Sequence, residues 1–383
     1  MSDAWIALSD PDIAPSDLDA VTAALASPTL SMGAATEAFE AAFAAYVGRR
    51  HAVAVASGTI GLGLVLRAYG IGTGDEVIAS PHGWRETAHA IALAGATPVF
   101  ADIDYWAGTL VPEKAAARIT PRTRALLVSN PNGHPAPWDA FRALAEQHRV
   151  PLLEDSTEAI GSLYRGACVG SFGDCAVFDF SQPSPLVCGE GGMVVTDDTD
   201  IATALRRHRS RRPEERASVV LGLAPPLQAG MSDLAAALGL SQLARIDTIL
   251  EKRRHIAAVY LQQIKSFEGI KDPFVAPDVD DVHWFLYVVH LGTRFTRSAR
   301  DAIVDDLRTE QVQATAYSQP LHLQPFYFAQ GCRRGDLPVT EKVADRAVAL
   351  PFHTHLSPDR IAFIVGTMKD ASINVGAGAA IYL

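Results

Sequence analysis

Four short loops hold most of the residues able to do chemistry, each where an apolar run gives way to polar residues. VAVASGTIGLG ends a run of small apolar residues in Ser57, Gly58 and Thr59 just as a helical pattern begins. Free amides at a helix start, with two hydroxyls beside them, suit an anion such as a phosphate. An ordinary capped helix start has the same signature. SPHGWRET places Trp84 beyond the next apolar run, with His82 two residues earlier. An indole there can stack on a planar ring or serve as a hydrophobic anchor. LLEDSTEAIG carries Glu154 and Asp155. A carboxylate at that edge can hold a protonated ring nitrogen or cap the helix that follows. Together these three loops describe a site for a flat, phosphorylated cofactor with a cationic ring. The fourth, FDFSQPSPLVCGEGG, runs from Phe178 to Gly192 and is closed by tight glycines, as active-site turns often are. Its middle holds two prolines and a serine, and neither lysine nor histidine.

Alternating elements must position these loops. Strands are predicted at HAVAVAS (51–57), DEVIAS (75–80), TPVFADID, ALLVSN (125–130) and VPLLED (150–155). Between them lie the helical patterns IGLGLVLRAYG, ETAHAIALAGA, EKAAARI and FRALAEQHR. That alternation predicts an α/β fold with a mostly parallel sheet covered on both faces. A long charged helix is predicted from Ser232 to Lys265. FLYVVHL, a helix around ARDAIVDDLRTE and a terminal helix over 357–369 then make a smaller mixed domain. The expected division is a large cofactor-type domain over 1–250, N-terminal segment included, and a small α+β domain over 251–383. INVGAGAAIYL is too glycine-rich and short to be given a role.

At 383 residues and 48% hydrophobic, the chain can bury a large core. No run approaches the roughly 20 uninterrupted apolar residues of a membrane span. MSDAWIALSDPD has neither a basic start nor an apolar leader core, so a cytoplasmic protein is expected. Cys168, Cys175, Cys188 and Cys332 sit at no metal or redox spacing, and no metal site is expected. The net charge of -10 speaks against nucleic-acid binding. The exception is RRHRSRRPEER, Arg206–Arg216, which reads as a solvated helix end, a polyanion contact or a subunit interface.

Longer stretches carry a resemblance. LSMGAATEAFEAAFAAYVG, the SGT loop, GIGTGDEVIASPHGW, GATPVFADID, EDSTEAIGSLYRGACVGSFGD, GEGGMVVTDD, MSDLAAALGLSQLARIDTILEKRR and PLHLQPFY occur in this order. They resemble the DegT/DnrJ/EryC1/StrS sugar aminotransferases over nearly the whole chain. The resemblance implies the fold-type I architecture and pyridoxal phosphate. It assigns Gly58 and Thr59, with Ser57, to the phosphate, Trp84 to the face of the pyridine, and Asp155 to its nitrogen. It also implies a homodimer in which each site is completed by the partner, with the Arg206–Arg216 stretch reaching toward it.

Departures from the family pattern fall on the reactive positions. Counting back from Gly189–Glu190–Gly191–Gly192 without a gap puts Ser184 at the Schiff-base lysine and Asp179 at a phosphate-binding serine. Pro183 and Pro185 flank Ser184 and restrict the backbone. Gln228 and Gly230 replace the asparagine and arginine before the methionine. Glu158 replaces a histidine or glutamine, and Asn130 a histidine. Serine cannot form an internal aldimine or shuttle a proton as an amine does. The six lysines, at 114, 252, 265, 271, 342 and 369, fall on no loop the family uses for catalysis.

A carboxylate at 179 facing a dianionic phosphate costs affinity. The alternative is that Asp179 turns away and caps a backbone amide. Pyridoxal or pyridoxamine phosphate is therefore expected to be held noncovalently, if held at all. Three functions stay open. One is altered cofactor chemistry on a keto-sugar-like, nucleotide-linked substrate, as in the sugar 3-dehydratase branch, with His82, Glu158, Asp179 or Ser184 as candidate groups. Another is an inactive or regulatory partner, homodimeric or paired with an active paralogue. The third is an ordinary sugar aminotransferase.

Overall fold

The computed structural model describes residues 5–210, 226–265, 267 and 269–380. Five strands in the first part of the chain are β1 (His51–Val55), β2 (Glu76–Ala79), β3 (Thr97–Phe100), β4 (Thr123–Ser129) and β5 (Leu152–Asp155). A short hairpin follows, β6 (Leu163–Tyr164) and β7 (Ala167–Cys168), then β8 (Cys175–Asp179) and β9 (Gly192–Thr196). Seven of these form one sheet in the order β1-β9-β8-β5-β4-β2-β3. All of its pairings are parallel except those made by β9, which runs against both neighbours.

Both faces of that sheet are covered, which explains strands that are apolar at every position. Val53, Val55, Val177 and Val194 join one buried cluster with the Gly58–Ala68 helix. Their neighbours Ala52, Ala54, Ala176, Phe178 and Val195 join another with the Ala34–Val47 helix. Alternate side chains thus enter opposite layers. The C-terminal ends of β5 and β8 deliver Asp155 and Asp179 to one edge, beside the start of the helix after β1.

The smaller sheet contains β10 (Ile270–Lys271), β12 (Tyr287–Leu291), β13 (Thr315–Ala316) and β14 (Ala347–Leu350), all antiparallel. A separate three-stranded ribbon joins β6 and β7 to β11 (Val279–Asp281).

Two helical expectations are corrected. The helix predicted over 232–265 is two, Asp233–Ala244 and Ile246–Ile264, with the backbone leaving helical geometry at Arg245 (φ -112°, ψ 7°). The Arg245 guanidinium is tied into the N-terminal segment, to Asp12 Oδ1 at 3.1 Å and Asp17 Oδ2 at 2.8 Å. The terminal helix predicted over 357–369 continues into the glycine-rich tail, running from Pro358 to Ala380.

Candidate functional site

The helix that begins at Gly58 has Ser57 as its N-cap, whose Oγ accepts from Ile60 N at 3.3 Å. The Gly58 amide, which a bound anion would use, donates instead to Asp179 Oδ2 at 2.6 Å. Asp179 Oδ1 accepts from the Ser181 amide at 2.9 Å and the Ser181 hydroxyl at 2.5 Å. Strand order accounts for the reach. Gly192 of β9 pairs with Asp179 and lies between it and the helix start. A Cβ at Gly192 would stand 2.7 Å from Gly58 N, so only glycine lets β9 lie this close. The carboxylate is buried, at 6% exposure, and sits where helix-start amides and the helix dipole favour negative charge. Asp179 therefore holds the Gly58 amide at the helix start, with Ser57 as the N-cap. Thr59 lies half-buried in the first turn.

At the other end of the edge, Asp155 is buried at the tip of β5. Thr87 Oγ1 donates to its Oδ2, and Thr157 N to its Oδ1 at 3.1 Å. Burial pushes its carboxyl up, these hydrogen bonds oppose that, and the nearby Asp179 charge adds to the rise. Trp84 is half-buried, its ring edge-on to Phe285 with centroids 5.9 Å apart. Glu154 plays a structural part: its oxygens accept from Gly170 N at 2.6 Å and from Phe172 N and Gly173 N at 3.0 Å. Asn130 is likewise committed, its Oδ1 accepting from Ala136 N at 2.9 Å and Trp138 Nε1 at 3.1 Å.

Glu158 and His82 lie deeper. Glu158 Oε2 accepts from Asn132 N at 2.6 Å and Tyr317 OH at 2.5 Å, while its Oε1 is buried without a partner. Burial raises its pKa to about 7 against these two hydrogen bonds, helped by the charges of Asp155 and Glu86. His82 is 4% exposed with an unpartnered Nδ1, and burial lowers its pKa to about 3. Tyr317, which touches both residues, was not foreseen: its ring stands edge-on to His82 at 5.2 Å. The only sequence signal was its place just before PLHLQPFY.

A pH test follows from Glu158. The folded chain keeps its proton up to about pH 7, whereas the unfolded chain releases it near 4.5. The folded state then binds more protons in between, so this contribution is full below the lower value and lost as pH rises through the upper one. Glu158→Gln should flatten the decline in denaturant stability between about pH 5 and 8. A decline of equal size in the variant would assign it to other groups.

Ser184 is buried in the turn after β8, its amide donating to Ser181 O at 3.2 Å and its Oγ accepting from Leu186 N at 3.3 Å. Lys114 Nζ donates to Ile103 O at 3.1 Å, Lys252 pairs with Asp12 at 2.8 Å, and Lys369 Nζ donates to Gln263 O at 2.9 Å. Lys265, Lys271 and Lys342 are exposed outside the central sheet. Gln228 is exposed, though its neighbour Ala229 meets the phosphate loop, its carbonyl accepting from Ala56 N at 2.8 Å.

The arginine stretch is partly corrected. Arg209 turns inward to Glu40 Oε1 at 2.5 Å and Ala54 O at 2.8 Å, and Arg206 to Ala52 O at 3.1 Å. Arg209 is buried on these contacts, while Arg206 is half-buried. Residues 211–216 lie outside the described residues.

At one end of the edge Asp155, held by Thr87 and Thr157, is a carboxylate that could hold a ring nitrogen. A phosphate does not fit at the other end, because a buried carboxylate already holds the amide and would oppose a second anion.

Comparison with known proteins gives a consistent placement. Residues 11–369 match the model of the DegT/DnrJ/EryC1/StrS aminotransferase family. The chain is 35% identical to the spore coat polysaccharide biosynthesis protein SpsC of Bacillus subtilis, over 87% of this chain and 88% of that one. It is 37% identical to dTDP-3-amino-3,4,6-trideoxy-alpha-D-glucose transaminase of Streptomyces venezuelae, over 87% and 86%. The structure of DesV from S. venezuelae, solved in complex with a ketimine intermediate, superposes with a TM-score of 0.84 at 34% identity, covering 93% and 94% of the two chains.

Proposed function

We propose, from the premise that this chain belongs to the DegT/DnrJ/EryC1/StrS aminotransferase family, that it no longer performs lysine-dependent transamination and serves as a noncatalytic subunit. The observation that carries this reading is the Gly58 amide committed to Asp179 Oδ2 at 2.6 Å. With Ser184 at the lysine position, the site has neither a free phosphate cup nor an imine-forming amine. The subunit pairs with a second copy or with an active paralogue, and its ligand is a nucleotide-linked sugar of the kind named for the S. venezuelae relative.

A second reading rests on a separate observation. Asp155 with Thr87, and the proton-holding Glu158–Tyr317 pair, are intact. They would suit noncovalent chemistry on a keto sugar, with Glu158 the group most able to exchange a proton near neutrality.

Trapping separates both readings from an ordinary transaminase. The full chain, incubated with pyridoxal phosphate and reduced with borohydride, should show no cofactor adduct on the peptide containing Ser184. With glutamate as donor it should form no pyridoxamine phosphate. Glutamate turnover together with an adduct on Lys114 would restore the ordinary aminotransferase.

A further inference from the structure

Away from the phosphate cup, a cleft of about 320 Å³ opens beside β3, between the segment after that strand and the segment before β11. None of the residues assigned above to the cofactor lines it. Two of its rings meet solvent: Trp106, in the loop after β3, is 48% exposed, and Phe274, between β10 and β11, is 39% exposed. The Phe274 ring lies nearly parallel to the His134 imidazole, at 8° with centroids 6.3 Å apart. Tyr164 of β6 adds a buried third ring. Aromatic surface left open to water by two separate segments at one cleft is surface that a ligand can cover.

The charges at this cleft are of one sign. Asp104 and Asp278 both line it and both are exposed. Asp104 Oδ1 accepts from the Trp106 and Ala107 amides, each at 2.8 Å, and so fixes the loop that carries the indole. Among the described residues of the lining there is no lysine or arginine. His134 brings no positive charge. Its Nε2 accepts from Ala276 N at 3.1 Å, so the proton is on Nδ1, which donates to Pro135 O at 2.8 Å. Burial lowers its pKa, against the pull of that carbonyl and of the Asp278 and Asp104 charges. The cleft is therefore aromatic and negative, and its imidazole has both nitrogens committed.

That lining selects among ligands. Two carboxylates and no base disfavour an anion. Among the described residues no three histidine, cysteine, aspartate or glutamate side chains come together to hold a metal ion. A primary ammonium is compact and strongly hydrated, and gains little from an aromatic face until it sheds that water. A quaternary ammonium donates no hydrogen bond, is weakly hydrated, and is attracted to aromatic faces, most of all to an indole.

We propose that this cleft binds a small organic cation carrying a quaternary ammonium group. Its methyl groups pack on Trp106 and Phe274, and its charge lies in the field of Asp104 and Asp278. The volume is at the small end of the range that takes small molecules, which suits a ligand of a few heavy atoms. Nothing in this site depends on how the phosphate cup is read, since no cofactor takes part.

Choline is the probe, titrated against the full chain by calorimetry and by ligand-detected NMR. Its uncharged carbon isostere, dimethylbutanol, and the primary amine ethanolamine are titrated alongside. Saturable choline binding is expected, about tenfold tighter than either. Trp106→Ala should weaken it about tenfold and Asp278→Asn about threefold. Melting temperatures should not change, because both side chains are exposed. No saturable binding of choline would overturn the site. Equal binding of dimethylbutanol would overturn the charge assignment, and equal binding of ethanolamine the quaternary one. Unchanged binding by the Trp106 variant would overturn the location.

Discussion

Replacing Asp179 with serine should tighten the binding of pyridoxamine phosphate by one to two decades. The wild-type carboxylate sits 2.6 Å from the Gly58 amide, the place a phosphate oxygen would take. Two unit charges about 4 Å apart repel by roughly 1 kcal/mol in water and 4 kcal/mol near a protein surface. Removing one of them, and leaving a hydroxyl able to donate, is worth about 1–3 kcal/mol in affinity. The same change removes the acceptor of the Gly58 amide and two hydrogen bonds from Ser181, so the variant should be less stable by about 1–2 kcal/mol. Tighter binding in a less stable protein distinguishes this from a general improvement in folding. Asp179→Ala separates the two contributions, since it lifts the repulsion without supplying a donor.

The larger qualitative change is expected from Ser184→Lys made together with Asp179→Ser. Wild type should give no borohydride-stable adduct with pyridoxal phosphate at position 184, whereas the double variant should be labelled there in near-stoichiometric yield. Ser184 is 5% exposed and hydrogen-bonded only within its own turn, its hydroxyl accepting from Leu186 N alone. Asp155, the carboxylate proposed for a ring nitrogen, is held by Thr87 and Thr157. Ser184→Lys alone should label weakly, because Asp179 still opposes the phosphate. If the single and double variants label equally, Asp179 is not the obstacle.

Much of the fold was legible because its strands are buried on both faces. HAVAV, LLED and their like announce a covered parallel sheet. The direction of β9 was not legible, since GMVVT reads the same whether it runs with its neighbours or against them. The β6, β7 and β11 ribbon has strands of two or three residues, too short to show any period. The break at Arg245 falls inside an unbroken helical pattern and appears only once Asp12 and Asp17 approach from the other end of the sequence.

The candidate site divides in the same way. Ser57, Gly58, Trp84 and Asp155 stand out from their loops as candidates, and Ser184 only from the family pattern. What Asp179 does could not, because it depends on Gly192 lying flat between two strands. His290 on β12 and Tyr317 just after β13 meet His82 and Glu158 only in the folded chain.

The most direct test of the occupied phosphate cup is the affinity of the wild-type chain for pyridoxamine phosphate compared with pyridoxamine. The two ligands share a ring and differ only at the group Asp179 would exclude. Affinities within about threefold of each other are expected, since the phosphate gains no amide and meets a carboxylate. A phosphate ester bound a hundredfold more tightly, about 2.7 kcal/mol, would mean the cup is open and would contradict the assignment of Asp179 as its occupant.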